Sequence, residues 1–467
     1  MGRIADIGNA EYNLMPPWSG GFREAERQMA NDRNIVLKKN ILMSAVLKMV
    51  GLATSLLIVP ITIGYLDKEV YGVWMTMTSV LFWIGTFDIG LGNGMRNYLT
   101  EAISKQDYSL ARKYICTTFS LLTIIALALG VIGLLPLSQL DYCSFFNTHV
   151  VSGASLRNAT LVAIGFTLGN FVLKNVGFIF VAMQKYAVND LLTVSGNVIS
   201  MVIIFILTKV TSGNLMYVVL AYTATTCVVF ALATIPLFLR YPKLRPAVKD
   251  FDKSLGKQIV GKGIGFFVIQ VSSCLVIFGA ANVFIAQNCG PTNVTTYNIA
   301  YKFFNLLIIA YTIILSPMWN AYTDAYVKGD MAWINATFSR ALKFWALSVV
   351  GGACMLAVSG VFYHLWVGGK VDVPLSISLC TFVYVCAFNL NNCATYLING
   401  LNKIRVQIIT SVVFTILYVA MVKFTDMGLS VESIVLSMAT CYLAMALIHI
   451  HQCRLLIKQK ATGIWDR

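Results

Sequence analysis

The sequence predicts an all-α polytopic membrane protein. Hydrophobic residues make up 58% of the 467 residues and charged residues 12%, and the mean hydropathy is +0.74, far from the composition of a soluble domain. Apolar windows of about twenty residues, enough to cross about 30 Å of hydrocarbon, recur along most of the chain. Open sheets cannot span lipid, and the alternating strand pattern of a membrane barrel is absent from the sequence, so the spans must be helices.

The apolar windows predict about twelve transmembrane helices. The predicted spans are residues 41–66, 72–97, 115–137, 159–183, 191–209, 215–239, 263–287, 296–320, 342–366, 375–397, 408–425 and 432–451. A long basic segment separates six spans from six. The predicted domains are therefore an N-terminal extension 1–39, a six-helix bundle 40–239, a linker 240–262, a second six-helix bundle 263–451 and a tail 452–467.

The distribution of basic residues predicts the orientation. Most of the 35 lysines and arginines fall in the extension, the linker, the tail and alternate loops, all on one side of the membrane. The other side holds only Lys68, Arg157, Lys209, Lys370 and Lys423. By the positive-inside rule both termini are predicted to be cytoplasmic. The net charge of +15 is then mostly topological, which favours contact with membrane lipids over nucleic acid.

A faint internal repeat supports two related halves. RNYLTEAISKQD, 96–107, resembles WNAYTDAYVKGD, 319–330, at an offset of 223 residues. Both segments follow corresponding predicted spans. Since each half has six spans, the halves would share one orientation and be related by a pseudo-two-fold axis along the membrane normal. This is a transporter architecture, with the pathway between the repeats.

Ionisable residues inside the spans are the strongest candidates for a functional site, because each is costly to place in lipid. Lys48, Asp88 and Lys174 are predicted at a shared depth of about 12–15 Å from the cytoplasmic face, at about 1.5 Å per residue. Asp88 could pair with one lysine and leave the other as net positive charge. A structural ion pair with one snorkelling lysine is the alternative. Asp88 is also a candidate for ion coupling.

Several further polar residues have two interpretations each. Arg96, Lys302 and Lys423 are candidate substrate ligands, but all three lie close enough to a span end to snorkel. Asp324 is a gating candidate at the cytoplasmic mouth, or a helix cap.

Glycines and amides add to the candidate set. Gly90 and Gly94 form a GxxxG pattern, which allows either close helix packing or a gating bend. Asn389 and Asn392 share a helix face, where amides form interhelical hydrogen bonds or bind sugar hydroxyls.

Enzymatic and metal-dependent functions are not indicated. The chain has no Walker motif, and its longest outward loop, about 138–158, is too short for a catalytic domain. The eleven cysteines are scattered without a C-x-x-C pair, and the four histidines are not clustered. We therefore expect neither an enzyme, nor a metal site, nor a cofactor.

The charge balance within the spans favours an anionic substrate. The basic residues there are Lys48, Arg96, Lys174 and Lys302, and the acid is Asp88. A carrier of organic cations would be expected to line its cavity with carboxylates instead. Because the cytoplasm is negative, outward movement of an anion is downhill by about 2.3 kcal/mol per charge per 100 mV.

Residues 38–107 resemble the opening of Wzx-type polysaccharide flippases. The shared features are a basic start, a Y-L-x-x-x-x-Y-G turn, and W-x-x-x-F-D-x-G-L-G-N-G at the end of the second span. These flippases belong to the multidrug, oligosaccharidyl-lipid and polysaccharide exporter superfamily. The N-terminal extension, residues 1–39, is longer than in those flippases, and its role is left open.

The resemblance implies a flippase of the bacterial inner membrane. The implied substrate is an undecaprenyl-pyrophosphate-linked oligosaccharide for O-antigen or capsule assembly, and the polysaccharide polymerase and chain-length machinery are implied partners. The flippase would move this substrate by alternating access around a cationic cavity. A multidrug or organic-cation antiporter is the main alternative, and the intramembrane lysines argue against it. A membrane-embedded polymerase would need a large catalytic loop.

Overall fold

The computed structural model describes residues 43, 46–87, 91–260, 279–424 and 429–466. Every regular element in these ranges is a helix, and ten helices there are long and apolar enough to cross a membrane. The all-α polytopic prediction is therefore confirmed. Predicted span 263–287 lies largely outside the described residues, so the number twelve and the pseudo-two-fold axis remain predictions.

The N-terminal half, residues 43–260, begins with a hairpin of helices. Its helices are α1 Val46–Leu66, α2 Lys68–Thr86, α3 Leu91–Ser104, α4 Tyr108–Gln139, α5 Tyr142–Phe146, α6 Gly153–Leu173, α7 Asn175–Ala182, α8 Tyr186–Val210 and α9 Leu215–Arg240. Residues 253–260 are also helical. Predicted span 72–97 thus falls on two helices, α2 and α3, and predicted span 159–183 falls on α6 and α7.

The described residues of the C-terminal half, 279–424 and 429–466, form six α-helices and a short 3-10 helix at Gly463–Asp466. The α-helices are α10 Ala281–Cys289, α11 Pro291–Val327, α12 Met331–Val367, α13 Leu375–Gly400, α14 Arg405–Phe424 and α15 Val431–Ile457. Both α11 and α12 have 37 residues, about 55 Å at about 1.5 Å per residue. They therefore extend well beyond a hydrocarbon layer of about 30 Å.

The linker after α9 is attached to α4 of the N-terminal half. The Thr117 hydroxyl accepts a hydrogen bond from the Asp252 backbone N–H at 3.0 Å, and the Cys116 thiol donates to the Ala247 carbonyl at 3.1 Å. Lys113 lies 3.7 Å from the Asp252 carboxylate. We call the end of the helices near this linker the linker end, and the opposite end the far end.

The buried apolar side chains of the described residues form three hydrophobic cores of unequal size. One core at the far end includes residues of both halves, among them Trp74 and Leu156 of the first and Phe304 and Tyr384 of the second. At the linker end the N-terminal half has its own core around α3, α4 and α7. The C-terminal half has a separate core around α11, α13 and α15. The described parts of the two halves are therefore joined at the far end and packed separately at the linker end.

The repeated segments form matching turns at the linker end. In the first, Lys105 lies 2.6 Å from the Glu101 carboxylate, and in the second, Lys328 lies 2.6 Å from the Asp324 carboxylate. Both pairs are exposed and one helical turn apart, so each contributes little to stability. Asp324 therefore has a local ion-pair partner.

Deeper contacts of these turns also match. The Thr100 hydroxyl donates to the carbonyl of Ala182 at 3.4 Å, and the Thr323 hydroxyl donates to the carbonyl of Gly400 at 2.7 Å. The helices that follow begin in the same way: the Asp107 and Asp330 carboxylates each accept a backbone N–H three residues on, at 2.9 Å. The weak sequence repeat thus has a counterpart in hydrogen bonds.

Candidate functional site

The two halves meet where α2 passes α10 and α11 near the far end. The Thr295 hydroxyl of α11 donates to the Lys68 carbonyl at 2.6 Å. Nearby, the Trp366 indole N–H donates to the Leu56 carbonyl at 3.0 Å. These bonds join backbone of the first half to side chains of the second. We call these contacts between the halves the far-end seal.

The seal depends on a close approach at Gly72. A Cβ added there would lie 1.8 Å from the Pro291 carbonyl oxygen, well inside van der Waals contact. Any side chain at this position would therefore push α2 away from the start of α11. Glycine is required here for steric reasons.

An amide network crosses between the halves one level deeper. The Asn298 amide donates to the Asn282 side-chain oxygen at 2.9 Å, and the Asn282 amide donates to the Ser79 hydroxyl at 2.8 Å. Ser79, Asn282 and Asn298 are not among the candidates predicted from the sequence. The signal was available, since Asn282 and Asn298 interrupt two predicted apolar spans, but single amides in spans are common.

Lys302 lies one turn beyond Asn298 on α11 and also reaches across the halves. Its ammonium donates to the Tyr71 hydroxyl at 3.4 Å. Within the described part of the chain it forms no ion pair with a carboxylate. We call Ser79, Asn282, Asn298, Lys302 and Tyr71 the apex site. The apex site offers one cation and several neutral hydrogen-bonding groups, which suits an anion or a polyol.

Lys174 lies at the break between α6 and α7. Its ammonium donates to the Gly85 carbonyl at 3.3 Å and lies 5.7 Å from the centroid of the Phe171 ring. The lysine therefore contacts the last turn of α2, and its shared depth with Lys48 and Asp88 stays a prediction. Asp88, the proposed partner, lies outside the described residues, and so does Gly90.

The other predicted cations are dispersed. Lys48 is exposed on α1, Arg96 is half-buried on α3, and Lys423 is exposed near the far end of α14. The structure thus brings Lys302 to the contact between the halves and leaves Lys423 at the molecular surface.

The remaining candidates have mainly packing contacts. Asn389 is 1% exposed, and its amide donates to the Leu307 carbonyl at 3.5 Å. Asn392 is half-buried on the same helix. A Cβ added at Gly94 would lie 2.9 Å from the Ile259 side chain. Asn389 therefore joins helices within one half, and Gly94 permits close packing against residues 253–260.

No known family model matches the chain. A protein of Salmonella typhi named as an O-antigen transporter is 21% identical over 322 residues, which cover 68% of this chain and 70% of that one. A protein of Salmonella typhimurium with the same name is 24% identical over 341 residues, covering 69% and 73%.

Solved structures resemble the fold of this chain over about nine-tenths of its length. An inward-facing multidrug resistance MATE family transporter of the MOP superfamily has a TM-score of 0.74 at 15% identity, covering 90% of this chain and all of that one. The chain shares its fold with this structure. An outward-facing MATE family transporter of the MOP superfamily has a TM-score of 0.60 at 15% identity, covering 91% and 96%. The names of the two Salmonella proteins confirm the predicted resemblance to polysaccharide exporters. These relatives are transporters and not enzymes.

Proposed function

We propose that this chain is a flippase of the bacterial inner membrane. It moves undecaprenyl-pyrophosphate-linked oligosaccharide units from the cytoplasmic to the periplasmic leaflet for O-antigen or capsule assembly. The names of the relatives and the MOP fold support a membrane transporter. The observation that carries the substrate class is Lys302, whose ammonium lies between the halves with a tyrosine hydroxyl as its partner.

The apex site has suitable chemistry for this substrate. Hydrogen bonds between an ammonium and a phosphate oxygen are shorter and stronger than those between neutral groups. Lys302 therefore binds the pyrophosphate. The amides of Asn282 and Asn298 can exchange their mutual hydrogen bond for bonds to sugar hydroxyls. Lys48, Lys174 and Arg96 remain part of the proposed cationic lining, with Asp88 as a proton acceptor, while the polyprenyl chain stays in lipid.

The division of the cores supports alternating access. The described halves share a core at the far end and have separate cores at the linker end. If the linker end is cytoplasmic, a substrate enters between the separately packed ends and meets the apex site. Export then requires the far-end seal at Thr295 and Gly72 to open while the linker ends approach. The membrane potential drives the pyrophosphate in the outward direction.

The test is complementation of a flippase-null strain with Lys302→Ala. A hydrogen bond to a charged group contributes about 1.5–3 kcal/mol, and about 1.4 kcal/mol corresponds to tenfold. We therefore expect surface polysaccharide to fall by about tenfold or more at equal membrane levels, with partial rescue by Lys302→Arg.

Lys209→Ala is the matched control. Lys209 lies at the far end of α8, 5.8 Å from the centroid of the Phe205 ring and away from the apex site. It should leave surface polysaccharide unchanged. Full export by Lys302→Ala would refute the cationic apex. Increased drug tolerance on expression, with no effect on surface glycan, would favour a multidrug antiporter instead.

A further inference from the structure

A cavity of about 920 Å³ opens at the far end, and none of the five apex-site residues lines it. Most of its wall comes from the N-terminal half, where the α1–α2 turn, the segment before α6 and the segment before α9 meet. Among the described residues, the C-terminal half contributes Lys370 to the lining, from the turn between α12 and α13. The cavity therefore bridges the two halves.

Local contacts fix the shape of this far-end cavity. The hydroxyls of Tyr65 and Thr211 lie 2.7 Å apart, in hydrogen-bond contact. A Cβ added at Gly213 would lie 2.2 Å from the Tyr65 carbonyl oxygen, so the chain before α9 packs directly on α1. These contacts hold the wall of the cavity between α1 and the start of α9.

Two ammonium groups dominate the charge of the cavity. Lys68 and Lys370 both line it, and neither forms an ion pair with a carboxylate in the described ranges. Asp67, the carboxylate among the described lining residues, accepts the backbone N–H of Val70 at 2.9 Å. Lys68 is the first residue of α2, where a positive charge opposes the helix dipole. An anion between the two lysines would offset this unfavourable interaction of Lys68 with the helix dipole.

The rest of the lining suits a sugar. Asn158, Asn214 and Ser155 place amide and hydroxyl groups on the wall, beside the aliphatic side chains of Ile63 and Val151. The volume lies within the range of small-molecule sites, about 300–1,000 Å³, and exceeds the need of a bare phosphate. Lysines supply charge, and amides and hydroxyls supply the donors and acceptors that sugar hydroxyls need.

We propose that the far-end cavity binds a saccharide bearing an anionic group, a phosphate or a carboxylate, with the anion between Lys68 and Lys370. Because Lys370 belongs to the other half, the bound anion stabilises the arrangement in which the far ends are closed. A ligand that binds one conformation better shifts the population toward it. This site is separate from the apex site and does not depend on what the apex site carries.

The test measures binding to the full-length purified transporter by calorimetry. The probes are glucuronate, inorganic pyrophosphate, and glucose as a neutral sugar of the same ring size. We expect glucuronate or pyrophosphate to bind and glucose to bind at least tenfold more weakly. Glucuronate alone would identify a carboxylate as the anion, and pyrophosphate alone a phosphate. Lys370→Gln and Lys68→Gln should each lower the affinity for the anion by about tenfold.

Two control variants make the result specific. Lys209→Gln removes a far-end cation that does not line the cavity and should leave anion binding unchanged. Lys302→Ala removes the apex cation and should leave the part of anion binding that depends on Lys370 unchanged, so failure at either site can be told apart. The proposal is overturned if neither anion binds the wild-type protein, if glucose binds equally well, or if Lys370→Gln binds as the wild type does.

Discussion

At the scale of single residues, Gly72 sets how closely the halves approach. It is buried on α2, directly against the backbone at the start of α11. Overpacking of a well-packed contact costs about 1–3 kcal/mol. We expect Gly72→Ala to lower the apparent melting temperature of the purified protein in detergent, because the added methyl group cannot be accommodated without separating two helices.

Gly165→Ala is the control for this substitution. Gly165 lies within α6, and a Cβ there meets no atom within 4 Å. Alanine has the higher helix propensity, so the melting temperature should stay the same or rise slightly. Equal melting of the Gly72→Ala protein and the wild type would show that the close approach is not maintained in solution.

At the scale of elements, the two linker-end turns make an internally controlled pair. Asp107 caps α4 and Asp330 caps α12 with the same geometry. Loss of an N-cap carboxylate costs about 0.5–2 kcal/mol. We expect Asp107→Ala and Asp330→Ala to speed hydrogen exchange at the first turn of the respective helix, by similar factors.

Lys328→Gln provides the comparison for the turns. It removes an exposed ion pair and leaves both caps in place, so exchange at the first turn of α12 should barely change. If Asp330→Ala exchanged no faster than Lys328→Gln, the cap would contribute nothing measurable.

At the scale of the whole molecule, transport requires the far-end seal to open. The Ser79 hydroxyl and the Asn282 amide nitrogen lie 2.8 Å apart across the halves, so cysteines at these two positions in a cysteine-free background should form a disulfide. We expect oxidation to reduce export by about tenfold or more, because the disulfide prevents the halves from separating. A tenfold reduction requires only about 1.4 kcal/mol, far less than the strength of a covalent bond. Reduction should restore the export of the same protein, measured as surface polysaccharide.

Each single-cysteine variant, oxidised in parallel, controls for damage by the oxidant. Undiminished export by the cross-linked protein would mean that the halves do not part at this point.

Sequence reasoning gave the fold class readily but only part of the candidate site. Lys302 was identifiable because a charge in an apolar span is costly. Ser79 and Asn282 were not, because their significance comes from the pairing of α2 with α10, which hydropathy does not encode. Asn389 was selected for its chemistry, whereas its burial within one half depends on packing. The repeat can be detected in the sequence because its residues keep the same spacing. The structure shows that they also make the same hydrogen bonds.

The confinement of the seal to one end has a mechanical consequence. The cross-half contacts of α11 described above run from Pro291 to Lys302, about 17 Å of a helix about 55 Å long at about 1.5 Å per residue. If α11 moves as a rigid rod pivoting about this contact, it acts as a lever. A displacement of about 1 Å across the seal then becomes about 3 Å at the other end of the rod, so a small movement at a few hydrogen bonds is amplified about threefold at the linker end.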